Sequence, residues 1–140
     1  VQSRPGRLNT AQDPEICKKV QISQQTDLCA VVDSDDNVIG HETKVSCHLL
    51  DANNNTKLHR AFSVMLFNED GEMLVQRRSK YKSLFPMYLS NTCCSHPRAN
   101  IESEMEIANG NGAKRAAIRR LNFELGIPPS EVIFIVDTVS

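Results

Sequence analysis

The sequence predicts an α+β fold, and three features carry that expectation. Two apolar runs, Leu28–Val32 and Ala61–Phe67, each lead through a turn cluster into a second short run, the pattern of antiparallel hairpins. One segment, Ala113–Leu125, spaces its apolar residues as a helix does and stops at a glycine. A last run, Glu131–Val139, is again β-prone. At 140 residues the chain can form one domain with its own core, and hardly two.

The elements follow in order. Residues 1–26 are polar and aperiodic, apart from a weak helical hint over Pro14–Val20, and are expected to form a tail. The domain is then 27–140. Leu28–Val32, the turn cluster DSDDN and Val38–Gly40 make a first small hairpin. Leu49–Lys57, with three consecutive asparagines, is a loop. Ala61–Phe67 is apolar throughout, as in a strand buried on both faces. Asn68–Gly71 turns it into Glu72–Arg78, a second hairpin over 61–78. Residues 79–97 are irregular, with prolines at 86 and 97. Asn109–Gly112 breaks the chain before the helix, and Gly126 with Pro128 ends it.

Composition narrows the chemistry. Sixteen Lys and Arg against seventeen Asp and Glu leave a formal charge of −1, so nothing global attracts nucleic acid or an anionic membrane. No apolar run is long enough to span a bilayer, and the first residues lack the apolar core of a secretory signal. Five cysteines at irregular spacing, with no C-x-x-C pair, argue against a disulfide framework or a Cys₄ zinc site. Reduced thiols in a cytoplasmic compartment are expected.

Four groups of residues invite chemistry. His48, His59 and His96 can each offer an imidazole lone pair to a metal ion, but spacings of eleven and thirty-seven residues match no compact motif. Each alone is more often a hydrogen-bonded surface or turn residue. Cys93 and Cys94 are either packing or, with His96 and Arg98 nearby, an activated thiol. Arg77, Arg78, Lys80 and Lys82 are a solvated basic strand end or a phosphate clamp, and on a strand only one of the two arginines faces a given pocket. Glu124 shares a helix stripe with Ala113, Ala117 and Leu121, so it needs a partner, either Arg120 one turn back or a metal ion.

Taken together, these residues become more specific. HRAFSVMLFNEDGEMLVQRRSKYKSLFPMYLSNTCCSHP (59–97), with ETKVSCH upstream (42–48) and GAKRAAIRRLNFELGI downstream (112–127), closely resembles type I isopentenyl diphosphate isomerase, a family with a Nudix-like fold. The resemblance covers roughly Leu28 to Ile127. It implies a mixed β-sheet with a flanking helix and the interconversion of isopentenyl and dimethylallyl diphosphate by proton transfer on opposite faces of the substrate. It puts the catalytic cysteine at Cys94 and the metal-binding histidines at His48, His59 and His96, holding Mg²⁺, Mn²⁺ or Zn²⁺. His41 falls outside the pattern. Lys44, Arg78 and Lys82 match residues that hold the diphosphate, and Glu124 matches a carboxylate that binds a second Mg²⁺. The expected partner is a small diphosphate met by a monomer, with no nucleic acid and no membrane.

The same resemblance implies what is missing. The family's Glu-x-Glu segment, catalytic tyrosine and active-site tryptophan have no counterpart here, and the chain has no Trp at all. The expectation is a shortened form, lacking the final third or more of the family domain and incomplete at its C-terminus. Two alternatives stay open. One is an impaired relative that only binds diphosphate. The other is a Nudix pyrophosphatase, whose helix motif ends R-E-U-x-E-E-x-G-U, with U an apolar residue. Arg119, Leu121, Glu124, Gly126 and Ile127 fit that motif. Arg120 and Phe123 stand where hydrolysis needs carboxylates, and Met105 and Asn111 where an early Gly and Glu are expected.

Overall fold

The computed structural model describes residues 14–134. Its elements are α1 (Pro14–Gln24), β1 (Leu28–Val32), β2 (Val38–Thr43), α2 (Lys44–His48), β3 (Phe62–Val64), β4 (Gln76–Arg77), β5 (Leu89–Ser90), β6 (Cys93–Ser95) and α3 (Asn111–Leu125), with short 3₁₀ turns at Glu102–Glu104, Ala108–Gly110 and Pro129–Glu131. The α+β class holds. The described strands form three two-stranded antiparallel pairs, β1–β2, β3–β6 and β4–β5, where one mixed sheet was expected.

The first hairpin forms as expected. Leu28 pairs with Thr43 and Val32 with Val38, with a bulge between Val31 and Val32. Asp33 shapes its turn, its Oδ1 accepting the N–H groups of Asp35 and Asn37 at 3.0 and 2.9 Å. β2 then runs directly into α2. Thr43 caps that helix by accepting the Ser46 N–H at 3.2 Å.

The second hairpin forms at its turn and departs from expectation in its arms. Asn68 Oδ1 accepts the Asp70 and Glu72 N–H groups, and Gly71 takes the left-handed φ of 78° that this turn requires. Beyond the Phe67–Met73 bridge the arms part. β3 pairs with β6, and β4 with β5. The fully buried Thr92 fills the gap between them. Its hydroxyl accepts the Leu66 N–H at 2.9 Å and donates to the Leu74 carbonyl at 2.7 Å.

Three further expectations are corrected. Ala61–Phe67 is not buried on both faces. Met65 is 63 % and Phe67 53 % exposed, because no second layer of the described residues covers that side. The supposed tail holds α1, which is tied to the domain where the Gln25 and Asp27 carbonyls accept the N–H groups of Val45 and Lys44. Residues 1–13 lie outside the described part. Glu131–Phe134 is a 3₁₀ turn and irregular chain instead of a strand, and 135–139 lie outside the described residues.

The core is small. Cys29, Ala30, Val32, Cys47, Cys93, Ala116, Ala117 and Leu121 meet between β1, α2, β6 and α3. α3 starts two residues earlier than expected and ends at Gly126, whose φ of 70° lets its N–H return to the Asn122 carbonyl. Its first turn passes so close to the Glu102–Glu104 turn that a Cβ on Gly112 would lie 2.2 Å from the Glu104 carbonyl oxygen. Small residues on α3 and cysteines on the strands allow this close approach, and it brings α3 against the strand that carries Cys94 and the chain leading to His96.

Candidate active site

The three histidines come from three separate places. α2 carries His48, the chain beside β1 carries His59, and His96 follows β6. Their ring centroids lie 4.8, 5.1 and 5.0 Å apart, and one nitrogen from each falls within 4.8 Å of the other two. Two tautomers are fixed by the backbone. His48 Nδ1 sits 2.6 Å from the Lys44 carbonyl oxygen and His59 Nδ1 2.7 Å from that of Lys57, so each Nδ1 donates, and in the neutral ring the lone pair is then on Nε2. His96 Nδ1 is buried without a partner. Burial first, then the cations and imidazoles around it, push His96 down to about 3, so it is neutral near pH 7. Three imidazoles converging on one point are a donor set that a divalent ion fits.

The two cysteines are separated by the period of a strand. Cys94 pairs across the sheet with Ser63 and is exposed. Its Sγ donates to Asn91 Oδ1 at 2.9 Å and lies 3.3 Å from Ser63 Oγ. Cys93 points the other way into the core, and burial pushes its thiol up to about 11. The adjacent cysteines therefore have different surroundings: one thiol is open and hydrogen-bonded, the other inert.

A cavity of about 590 Å³ gathers the rest. Lys44, His48, Arg78, Lys82, Cys94 and His96 all line it. Lys44 and His48 stand one turn apart on α2 and so share a face. Burial, with Lys82 and Arg120 nearby, lowers the Lys44 pKa below the usual ammonium range, and Cys29 and Asp27 offset this only in part. Arg78 faces the cavity and Arg77 does not. The Arg78 fork also holds the loop over it: Nε and Nη2 donate to the Leu84 carbonyl at 3.1 and 2.9 Å, and Nε to that of Phe85 at 3.1 Å. Among the described residues no carboxylate lines this cavity.

Glu124 sits to one side. Its Oε1 is shared by the Arg120 guanidinium and by Lys82 Nζ at 3.3 Å, while Gln76 Nε2 approaches Oε2 at 3.4 Å. Burial would raise this carboxyl, but Arg120 and Lys82 outweigh it and hold it below the usual range. Arg120 is thus the ion-pair partner expected from the helix spacing, and Lys82 links Glu124 to the cavity wall. His41 is exposed on β2, away from the cluster.

Sequence reasoning gave no role to Ser63, Asn91, Gln21 or Gln25, which touch Cys94 or line the cavity. A serine inside an otherwise apolar strand was the available signal for Ser63. The glutamines of α1 carried none.

No family model matches the chain. Among curated proteins it is 51 % identical over 107 residues to isopentenyl-diphosphate Delta-isomerase I of Camptotheca acuminata, covering 76 % of this chain and 45 % of that one. It is 48 % identical over 112 residues to isopentenyl-diphosphate Delta-isomerase 1 of Mus musculus, covering 80 % and 49 %. It is 46 % identical over 114 residues to isopentenyl-diphosphate Delta-isomerase of Dictyostelium discoideum, covering 81 % and 48 %. The chain thus spans about half the length of the curated proteins it matches. It is a relative of the isopentenyl-diphosphate Delta-isomerases, alike over most of its own length and about half of theirs.

Proposed function

We propose that this chain carries an isopentenyl-diphosphate Delta-isomerase site, built on a Nudix-like fold, that interconverts isopentenyl and dimethylallyl diphosphate. One observation carries the reading: a single cavity lined by an exposed thiol, three cations and two of three clustered histidines. The diphosphate is multiply charged and needs fixed cations, which Lys44, Arg78 and Lys82 supply. The alkenyl end then lies within the same cavity as Cys94, beside the apolar walls of Ala61, Phe62, Leu84 and Phe85. Cys94 gives or takes a proton on one face of the double bond. Its S–H points at Asn91 Oδ1, and the Ser63 hydroxyl, 3.3 Å from the sulfur, can donate to the thiolate once that proton has left. These apolar side chains would shield a tertiary carbocation from capture once bound substrate displaces water.

His48, His59 and His96 would hold a divalent cation, Mg²⁺, Mn²⁺ or Zn²⁺, which would supply positive charge at the cavity wall that His48 and His96 line. Glu124 is a different case. Its carboxylate is already engaged by Arg120 and Lys82, an arrangement that does not fit a second Mg²⁺, and the proposed chemistry does not pass through one there.

Transfer across both faces of the alkene needs a second acid or base opposite Cys94. The described cavity wall offers no carboxylate for it. That favours a second reading, a relative that binds diphosphate and exchanges protons through Cys94 without completing the isomerisation. We assign the protein to a reducing, cytoplasmic compartment as a monomer acting on a small molecule. No described helix is long and apolar enough to cross a membrane.

Product analysis tests the proposal. The chain is incubated with isopentenyl diphosphate and Mg²⁺, and dimethylallyl diphosphate and free phosphate are measured separately. Dimethylallyl product supports the isomerase. Tight binding without product supports the second reading. Phosphate release points to a pyrophosphatase and overturns both.

A further inference from the structure

Among the described residues, the buried side-chain polar atoms without a hydrogen-bond partner are Gln24 Oε1, His96 Nδ1, Arg98 Nε and Arg120 Nε. They come from three separated stretches of chain: α1, the segment just after β6, and α3. All four residues line the same enclosed chamber between these elements, together with Lys44. The chamber leaves about 10 Å³ for the centre of a water-sized sphere. That is about the smallest space, roughly 10–15 Å³, that takes one water.

Hydrogen-bond arithmetic decides what fills it. Arg98 Nε and Arg120 Nε can only donate, and Gln24 Oε1 can only accept. Three such groups left unpaired in a buried site would cost about 1–3 kcal/mol each. A small anion would accept from both arginines but would repel the Gln24 oxygen, which needs a donor. A water does both, with two lone pairs for the arginines and one O–H for Gln24. Its other O–H reaches His96 Nδ1. The metal-free site is therefore satisfied with the His96 proton on Nε2.

We propose that one structural water occupies this chamber, and that Gln24 acts through it as a positioning residue for His96. His48 and His59 are held from behind by backbone carbonyls. The water and Gln24 perform that task for the third histidine, so α1 becomes part of the support of the site. The water belongs to the metal-free protein and does not depend on the proposed role of the histidines.

Crystal structures of the metal-free full chain, with Gln24→Met and Gln24→Glu, test this without substrate or turnover. The wild type is expected to show one density peak within about 3.2 Å of Arg98 Nε, Arg120 Nε and Gln24 Oε1, unaltered by bromide soaking. Gln24→Met, similar in size but unable to accept a strong hydrogen bond, should lose or displace the peak and turn or disorder the His96 ring. Gln24→Glu, which keeps an acceptor oxygen, should restore both. No peak in the wild type, or a peak replaced by bromide, overturns the water. An undisturbed peak and ring in Gln24→Met overturn the role of Gln24. Should Gln24→Met fail to fold, the wild-type density and the Gln24→Glu ring decide alone. Each result stands apart from whether isopentenyl diphosphate is turned over.

Discussion

Glu104→Gln should destabilise the fold far more than its place in a short turn implies. Glu104 is 4 % exposed. Its carboxylate accepts Arg119 Nε at 2.5 Å, Arg119 Nη2 at 2.8 Å and the Arg98 N–H at 2.8 Å. Arg119 in turn reaches the His96 carbonyl at 3.4 Å, so the pair clamps α3 to the strand end that leads into the site. Removing the charge leaves the Arg119 guanidinium, three quarters buried, without a counter-ion. Breaking a buried pair costs about 3–5 kcal/mol, and the part-exposed guanidinium argues for about 3. At roughly 3–5 °C per kcal/mol for a chain of this size, the melting temperature should fall by about 10 °C near neutral pH.

The pH dependence adds a second check on Glu104. Burial would raise its pKa, but Arg119 and the Arg98 N–H outweigh burial and hold it below the ordinary 4.5. A depressed carboxyl pKa stabilises the fold above the unfolded value, and that stability is lost as the pH falls through the folded value. The gap between wild type and Glu104→Gln, followed by thermal and urea unfolding, should be full near pH 7 and shrink below about pH 4.5. A variant that melts within about 2 °C of wild type near pH 7, or a gap undiminished near pH 3, would refute the reasoning.

Three further outcomes are expected. Gly112→Ala places a Cβ 2.2 Å from the Glu104 carbonyl oxygen and 2.7 Å from that of Glu106, both backbone atoms that cannot swing away, so unfolding should show a loss of about 2–3 kcal/mol. Thr92→Val preserves the shape but strands the Leu66 N–H and the Leu74 carbonyl between the hairpin arms, a cost of about 2 kcal/mol by denaturant titration. Iodoacetamide with peptide mapping should label Cys94 quickly in the native protein and reach the fully buried Cys29, Cys47 and Cys93 only on unfolding.

Local pattern revealed what local chemistry decides. The DSDDN and NEDG turns, the Gly126 stop and the Arg120–Glu124 pair form where residue type and spacing place them. What escaped depends on contacts distant in sequence. Cys93–Ser95 becomes a strand only because β3 lies beside it, and nothing in CCS itself favours extended chain. That same strand gives the two cysteines their opposite surroundings, a division that periodicity could have supplied had the strand been foreseen. The histidine spacings carried no signal, since the cluster exists through the packing of α2, β1 and β6; the family resemblance alone grouped them. α1 mixes its four apolar residues with two glutamines and two lysines, and the backbone bonds that tie it in come from Gln25 and Asp27, just beyond its end.

On the proposed function, Cys94 moves a proton to or from an isopentenyl diphosphate held by Lys44, Arg78 and Lys82. The direct measurement is deuterium incorporation into isopentenyl diphosphate in deuterated water with Mg²⁺, followed by NMR for wild type, Cys94→Ala and Cys93→Ala. Expected is deuterium at C2 or C4 with wild type and Cys93→Ala, and none with Cys94→Ala. Equal incorporation by both cysteine variants, or none by wild type saturated with substrate, would contradict it.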